Sequence, residues 1–400
     1  MRTPLAVRAA GGRPPAGRPV AAGHVRPGDA ARLAPPDGPL LVIVGPTAVG
    51  KSDLAVAVAA AVGGEVVNAD ASQLYRGMDI GTAKLLPAAR LGVRHHLIDV
   101  LDAHEDASVA DYQQQARSVI AAIAARGRLP VLVGGSGLYV SAVLDPLDFP
   151  GTDAGLRARL EAELAADGPA ALHARLATRD PAAAAAILPT NGRRIVRALE
   201  VGELTGAPFP AALPVAPSRP PGVAVLALDA DAAVLDATIA ERVEAMWAAG
   251  LVAEVARLAP RLRAGRTART ALGYSQVLRL LDGEIDDATA RADTTRSTRR
   301  FARRQRAWFR RETSAVRVRS GLRPPTVLDG VSARRRVTAG GCGSDPDGAT
   351  DLEPGTDLQR GTDPHAVLVA DVDRVTDIAI ELAAAALRCA GPDRLRARTA

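Results

Sequence analysis

Gly45-Pro46-Thr47-Ala48-Val49-Gly50-Lys51-Ser52 satisfies the pattern Gly-x-x-x-x-Gly-Lys-Ser in full. The glycines let the backbone wrap an anion, and the N–H groups and the positive end of a following helix then face the charge. The flanks supply that context. Pro39 to Val44 (Pro-Leu-Leu-Val-Ile-Val) has the apolar run of a short buried strand, and Ser52 to Ala61 continues as a helix. All eight residues, Gly45 to Ser52, are therefore expected to hold phosphate or pyrophosphate, with Lys51 on terminal phosphate oxygens and the Ser52 hydroxyl on Mg2+. Lysine usage points the same way: of 50 cationic side chains only Lys51 and Lys84 are lysine. A phosphate loop needs a slender point charge, and a planar guanidinium is the wrong shape.

Outward from the loop, Glu65-Val66-Val67-Asn68-Ala69-Asp70 reads as a second strand ending in polar groups. His96 to Val100 reads as a third, and Leu129 to Val133 as a fourth that runs into Gly134-Gly135-Ser136-Gly137. Helical patterns lie between them, notably Val109 to Arg126. Short apolar strands alternating with helices argue a P-loop NTPase-like, doubly wound parallel α/β sheet. Its functional edge lies at the carboxyl ends of the strands. From 148 to 222 the pattern changes to Ala-, Leu- and Arg-rich helices, with Leu156 to Ala165, Pro169 to Leu176 and Gly192 to Leu204 prominent, then a Pro-rich linker. That stretch is expected to be a helical insertion. The core, begun at 39–147, resumes over 223–322 with a strand at Val223 to Asp229, helices through Arg311, and a short strand near Ser314 to Val318.

The ends differ in composition. Residues 1–38 are rich in Arg, Pro, Gly and Ala, and 323–400 in Gly, Asp, Pro and Thr, with a loose Gly-Thr-Asp recurrence at 349–363. Both are expected to be disordered and the second dispensable, apart from one amphipathic helix at 372–387 capped by Asp371. Hydrophobic content of 48% fits globular domains, and the net charge of +6 permits an acidic partner. No stretch of eighteen apolar residues exists, so no membrane span is expected. Cys342 and Cys389 form no metal or disulfide pattern, which points to a reducing cytoplasm.

A phosphate loop alone fits an ATPase, a GTPase or a small-molecule kinase. The block Asn68-Ala69-Asp70-Ala71-Ser72-Gln73-Leu74-Tyr75-Arg76-Gly77-Met78-Asp79-Ile80-Gly81-Thr82-Ala83-Lys84 points elsewhere. Together with His95 to Asp99, Ser108 to Tyr112, Val133 to Tyr139, Arg194 to Glu200, Gly250 to Val255, Ala271 to Tyr274 and Arg303 to Arg310, it resembles the tRNA dimethylallyltransferases, in order from about 39 to 312. The resemblance implies transfer of a dimethylallyl group from its diphosphate, with Mg2+, to the exocyclic amine of the adenine 3′ of the anticodon, in tRNAs reading codons that begin with U. A monomer is expected. Rivals are an adenylate isopentenyltransferase acting on free AMP or ATP, and a nucleotide kinase.

The residues can be weighed on their chemistry. An aromatic amine is a poor nucleophile, so a carboxylate must take its proton as the carbon bond forms. Asp70, at a strand's carboxyl end near the loop, is the candidate base; an N-cap or Mg2+-ligand role is the alternative. Lys51 stabilises the leaving diphosphate. Ser136 matches a position where the family carries Thr or Ser near the reacting centre, or is a plain turn residue. The resemblance also implies that Asp70, Ala71, Ser72, Gln73 and Ser136 contact the base and its neighbours, and that Arg157, Arg193, Arg194 and Arg197 contact the anticodon arm. Between 291 and 319 eleven arginines face two acids, with Trp308 and Phe309 interleaved, a composition that favours a nucleic-acid surface. One departure stands out: Thr270 holds the position where the family often has an arginine for the diphosphate, with Arg269 one step earlier.

Overall fold

The computed structural model describes residues 34–211, 219–320, 367–370 and 372–389. The strands are β1 (Leu40–Val44), β2 (Glu65–Asn68), β3 (His95–His96), β4 (Pro130–Gly134), β5 (Val223–Ala230), β6 (Val316–Ser320) and β7 (Val367–Ala370). Over the first half the helices are α1 (Lys51–Val62), α2 (Val109–Ala125), α3 (Gly137–Leu144), α4 (Ala154–Arg179), α5 (Pro181–Ala186) and α6 (Gly192–Thr205). The second half carries α7 (Ala232–Ala248), α8 (Leu251–Ala264), α9 (Tyr274–Leu281), α10 (Asp287–Phe309) and α11 (Val372–Cys389).

The strands form one sheet in the order β3-β2-β4-β1-β5-β6-β7, and every pairing is parallel. β1 is central and buried on both faces, which is why it reads as an unbroken apolar run rather than an alternation. Leu40, Val42 and Val44 pack with Ile120 and Ile123 of α2, Val140 and Val143 of α3, and Phe309 of α10. Leu41 and Ile43 face the other way, toward Leu54, Ala55 and Val58 of α1 and Val375, Ile378 and Ala379 of α11. α7 to α10 close over the segment Tyr75–Ile80 in a third cluster. The insertion has its own small core of Leu160, Leu172, Leu176, Ile195 and Leu199.

Three sequence expectations change. The third strand stops at His96, because Leu97 and Asp99 take left-handed backbone (φ 59° and 58°) that a strand cannot contain. The second stops at Asn68, whose side chain bonds the backbone N–H and carbonyl of Asp70 and turns the chain out of the sheet. In the insertion, Leu156 to Leu176 lies within one helix, kinked at Gly168 (φ 79°, ψ 168°), with Pro169 opening its second half.

The C-terminal segment departs most. Residues 1–33, 212–218, 321–366, 371 and 390–400, with the Gly-Thr-Asp recurrence and the expected helix cap Asp371, lie outside the described residues. The helix expected at 372–387 spans Val372–Cys389, and a strand the sequence did not suggest, Val367–Ala370, pairs with β6. α11 covers one face of the sheet, so it is core and not an appendage. Burial of Val375 and Ile378 alone is worth about 1.5–3 kcal/mol each, a large share of the ~5–15 kcal/mol that holds a domain together. Deleting 367–400 is therefore expected to yield a largely unfolded or insoluble chain. A truncated protein with an unchanged urea midpoint would show that the sheet does not need α11.

Candidate active site

The phosphate loop leaves β1 at Gly45 (φ 145°) and enters α1 after Gly50 (φ 85°). A Cβ at Gly45 would lie 2.4 Å from the Leu228 carbonyl oxygen, so β5 approaches too closely for a side chain. Lys51 folds back, its Nζ donating to the Pro46 carbonyl at 2.5 Å. Burial lowers its pKa to about 7, opposed by the nearby Asp70 carboxylate and reinforced by Arg242. Not every N–H of the loop is free for an anion: that of Thr47 donates to Gln305 Oε1 at 2.8 Å.

Sequence reasoning missed Arg242. It rises from α7, and its Nη1 donates to Thr47 Oγ1 at 3.3 Å. Burial lowers its pKa, while Asp53 and Asp70 raise it, so the guanidinium lies among the charged groups of the loop. Arg269 is exposed in the short turn Ala268–Thr270 and makes no hydrogen bond to the loop among the described residues. Beside Lys51, the arginine that bonds the phosphate loop is thus Arg242, not Arg269. The signal available was that Arg242 is the one basic residue in the helix following β5.

Asp70 lies beyond β2, where its Oδ1 accepts from the Ser72 N–H at 2.9 Å and caps the turn Ala71–Leu74. The N-cap alternative is thus realised in the geometry, without excluding chemistry at the same carboxyl. Burial raises its pKa; the Ser72 N–H, Lys51 and Arg242 pull it down. Each of Asp70 and Lys51 thus favours the charged form of the other, against the burial that opposes it. Ser136 Oγ accepts from the Ala71 N–H at 3.3 Å, which ties the loop after β4 to the Asp70 turn. Gln73 donates to the Thr82 carbonyl at 3.0 Å. The structure thus brings Lys51, Asp70, Ala71, Ser72 and Ser136 to one edge of the sheet. Behind them, the Tyr112 and Tyr139 rings pack at a tilt of 43° with centroids 4.4 Å apart, and Tyr112 donates to the Asn68 carbonyl.

The remaining motifs fasten the loop 75–84. Glu254, 2% exposed, accepts from the N–H groups of Asp79, Ile80 and Gly81 and from the Tyr274 hydroxyl. Lys84 Nζ is enclosed by the Tyr75 carbonyl, Asp79 Oδ1 (2.9 Å) and Asp99 Oδ1 (2.5 Å). The second lysine is a clamp whose three donors match three oxygens that a planar fork would not fit. Lys84→Met strands a buried carbonyl but leaves two half-exposed carboxylates to water, so a loss of about 2–3 kcal/mol is expected. Urea unfolding checks this, and an unchanged midpoint would remove the clamp. His96 and Arg126 bond buried Glu65 and His95 bonds the Val93 carbonyl, so the His95-His96 pair is structural.

The arginines divide into two groups. Arg157 and Arg197 both pair with fully buried Glu200. Arg194 bonds the Ala211 carbonyl, and Arg193 is exposed with no ion-pair partner among the described residues. On α10, Arg291, Arg296 and Arg299 pair with acids, and Arg306 pairs with Asp229. Arg300, Arg303, Arg304 and Arg310 form one exposed stripe opposite buried Ala302, Gln305 and Phe309. Part of the basic run is thus internal structure and part is a cationic face.

A parallel sheet with a phosphate loop, Lys51 and Arg242 at that loop and a half-buried carboxyl beside them is a site suited to a phosphorylated or diphosphorylated substrate. The family model for IPP transferase matches residues 73–312, and the chain belongs to that family. A tRNA dimethylallyltransferase of Kineococcus radiotolerans is 62% identical over 309 residues, covering 76% of this chain and 96% of that one. One of Streptomyces coelicolor is 57% identical over 310 residues, covering 76% and 99%. The full-length tRNA isopentenylpyrophosphate transferase of Bacillus halodurans superposes with a TM-score of 0.55 at 33% identity, over 89% of this chain and 99% of that one. A eukaryotic dimethylallyltransferase acting on tRNA shares the fold (TM-score 0.59, 23% identity, 70% of this chain and 74% of that one).

Proposed function

We infer that this protein transfers a dimethylallyl group from dimethylallyl diphosphate to the exocyclic amine of the adenine 3′ of the anticodon in tRNA, releasing diphosphate. The observation that carries the reading is the 62% identity to a tRNA dimethylallyltransferase over nearly the whole of that relative. The site fits the chemistry. As the amine nitrogen bonds to the allylic carbon, the carbon–oxygen bond breaks and its electron pair leaves with the diphosphate. Lys51, Arg242 and the remaining loop N–H groups meet that growing charge, and interactions stronger there than in the ground state lower the barrier. The amine's proton goes to Asp70, whose carboxyl burial makes more basic than usual. Ser136 holds the Asp70 turn through the Ala71 N–H.

The donor set suits Mg2+ carried by the substrate. The Ser52 hydroxyl and the Asp70 carboxylate are hard oxygen donors of the kind Mg2+ takes alongside waters and phosphate oxygens. Ser52, with Asp70 as the alternative protein ligand, would hold it, and its charge would offset that of the leaving diphosphate.

Reaching the amine requires the base to be splayed from its stack, with the anticodon arm held by exposed cations. Removing Arg193, Arg303 and Arg304 is expected to flatten the log–log salt dependence of tRNA binding by about 0.7–0.9 per lost contact. Filter binding across salt checks this; an unchanged slope would put the tRNA elsewhere. A tRNA substrate also implies a cytoplasmic protein, and no helix among the described residues is long and apolar enough to cross a membrane. Labelled dimethylallyl diphosphate offered with tRNA or with AMP tests the acceptor. Label on tRNA alone is expected, whereas label on AMP would make the enzyme an adenylate transferase.

A further inference from the structure

Gln305 sits on the buried face of α10 and is 4% exposed. Both ends of its amide are used, and each on a different loop. Oε1 accepts from the Thr47 N–H of the phosphate loop at 2.8 Å, and Nε2 donates to the Gly135 carbonyl at 2.9 Å. Gly135 directly precedes Ser136, whose Oγ accepts from the Ala71 N–H next to Asp70. One unbroken path of hydrogen bonds and short backbone thus runs from the phosphate loop to the Asp70 turn, and Gln305 is its middle link.

The fit is close on every side. A Cβ at Gly135 would come within 2.2 Å of Gln305 Nε2, and one at Gly137 within 2.4 Å of Trp308, one turn further along α10. The glycines around Ser136 therefore make room for this face of the helix. Phosphate loops offer their N–H groups to anions; here one has been given to a side chain instead. A buried amide with both ends bonded to backbone has no freedom to adjust, so the spacing of the two loops follows the helix.

We propose that Gln305 is a positioning residue that fixes the phosphate loop relative to the Ser136–Asp70 turn, and hence the leaving diphosphate relative to the proton acceptor. α10 also presents Arg300, Arg303 and Arg304 on its opposite face, so one helix relates the cationic face to the spacing of the reacting groups. This rests on the transfer reaction proposed above. If wild-type protein transfers to tRNA and the Gln305 variants do so equally, only the positioning role fails.

The test uses Gln305→Met and Gln305→Glu in the full-length protein. Met fills the space and bonds neither loop. Glu is nearly isosteric, and its chemistry depends on pH. Protonated, its O–H donates to the Gly135 carbonyl and its C=O accepts from the Thr47 N–H, as the amide does. Ionised, it has no donor for Gly135. Single-turnover rates at saturating substrates are measured from acid to alkaline pH, with melting temperatures at each pH and tRNA affinity by filter binding. Small misplacements of reacting groups cost as much as about 10²-fold. Gln305→Met is expected to lose at least ~10-fold in rate with tRNA affinity within ~2-fold, at temperatures where the variant is folded. The ratio of Gln305→Glu to wild-type rates should rise as pH falls, because only the protonated side chain bonds both loops. A pH-independent ratio, or a folded Gln305→Met at wild-type rate, would overturn the proposal. Should Gln305→Met not fold, the Gln305→Glu ratio decides alone.

Discussion

Lys51→Ala is expected to lower single-turnover transfer by roughly 10²–10³, the cost of removing one preorganised contact to a developing negative charge. Folding and tRNA affinity should be nearly unaffected, because among the described residues the Nζ hydrogen-bonds only the Pro46 carbonyl. The lowered pKa gives a second signature. In the free enzyme Lys51 is an ammonium below about pH 7 and increasingly an amine above it. Diphosphate binds the ammonium form, so binding at pH 8 should take up a proton, and binding at pH 6 should not. In kcat/KM, which reports the free enzyme, the alkaline limb should fall near pH 7. In kcat, bound diphosphate holds the proton on and the limb moves up. Calorimetry in two buffers of different ionisation enthalpy measures the uptake. A variant with near-normal transfer, or uptake equal at both pH values, would remove Lys51 from the diphosphate.

The second large effect is at Asp70. Asp70→Asn is nearly isosteric and keeps an oxygen to cap the Ser72 N–H, so the turn should survive. It cannot take the amine's proton, and the rate should drop by roughly 10²–10⁴. Burial raises the carboxyl's pKa, so the wild-type rate should fall as pH drops through that raised value, as the base is lost. Asp70→Asn should lack this acid limb. If Asp70 instead binds Mg2+, raising the metal concentration would restore the variant's rate. Single-turnover transfer at saturating tRNA over a range of Mg2+ separates the two roles. Loss without metal rescue, with both substrates bound, supports the base.

What was legible in the sequence was local. The phosphate loop, its strand and its helix are contiguous, and the Asp70 turn follows the next strand within a few residues, so spacing alone brings them to one edge. What escaped notice depends on contacts between distant segments. Arg242 belongs to no motif and reaches Thr47 only because β5 pairs beside β1. Gln305 lies within a run whose arginines draw attention to charge, while the neutral residue among them bridges both loops. Arg157 and Arg197 look free in sequence because Glu200, which pairs both, is one acid among many. α11 follows a long Gly- and Asp-rich stretch, and composition could not show that its apolar face has a place on the sheet. The conspicuous Glu254, Tyr274 and Lys84 fasten a loop. Motif density and catalytic role therefore diverge at these three.

The most direct measurement of the central claim is the nucleoside composition of tRNA after incubation with this protein, dimethylallyl diphosphate and Mg2+. Digestion followed by mass spectrometry should reveal adenosine carrying one dimethylallyl group on its exocyclic amine, located 3′ of the anticodon in tRNAs that read codons beginning with U. Unmodified adenosine at that position, with the dimethylallyl group recovered on a free nucleotide or as an alcohol, would contradict the account.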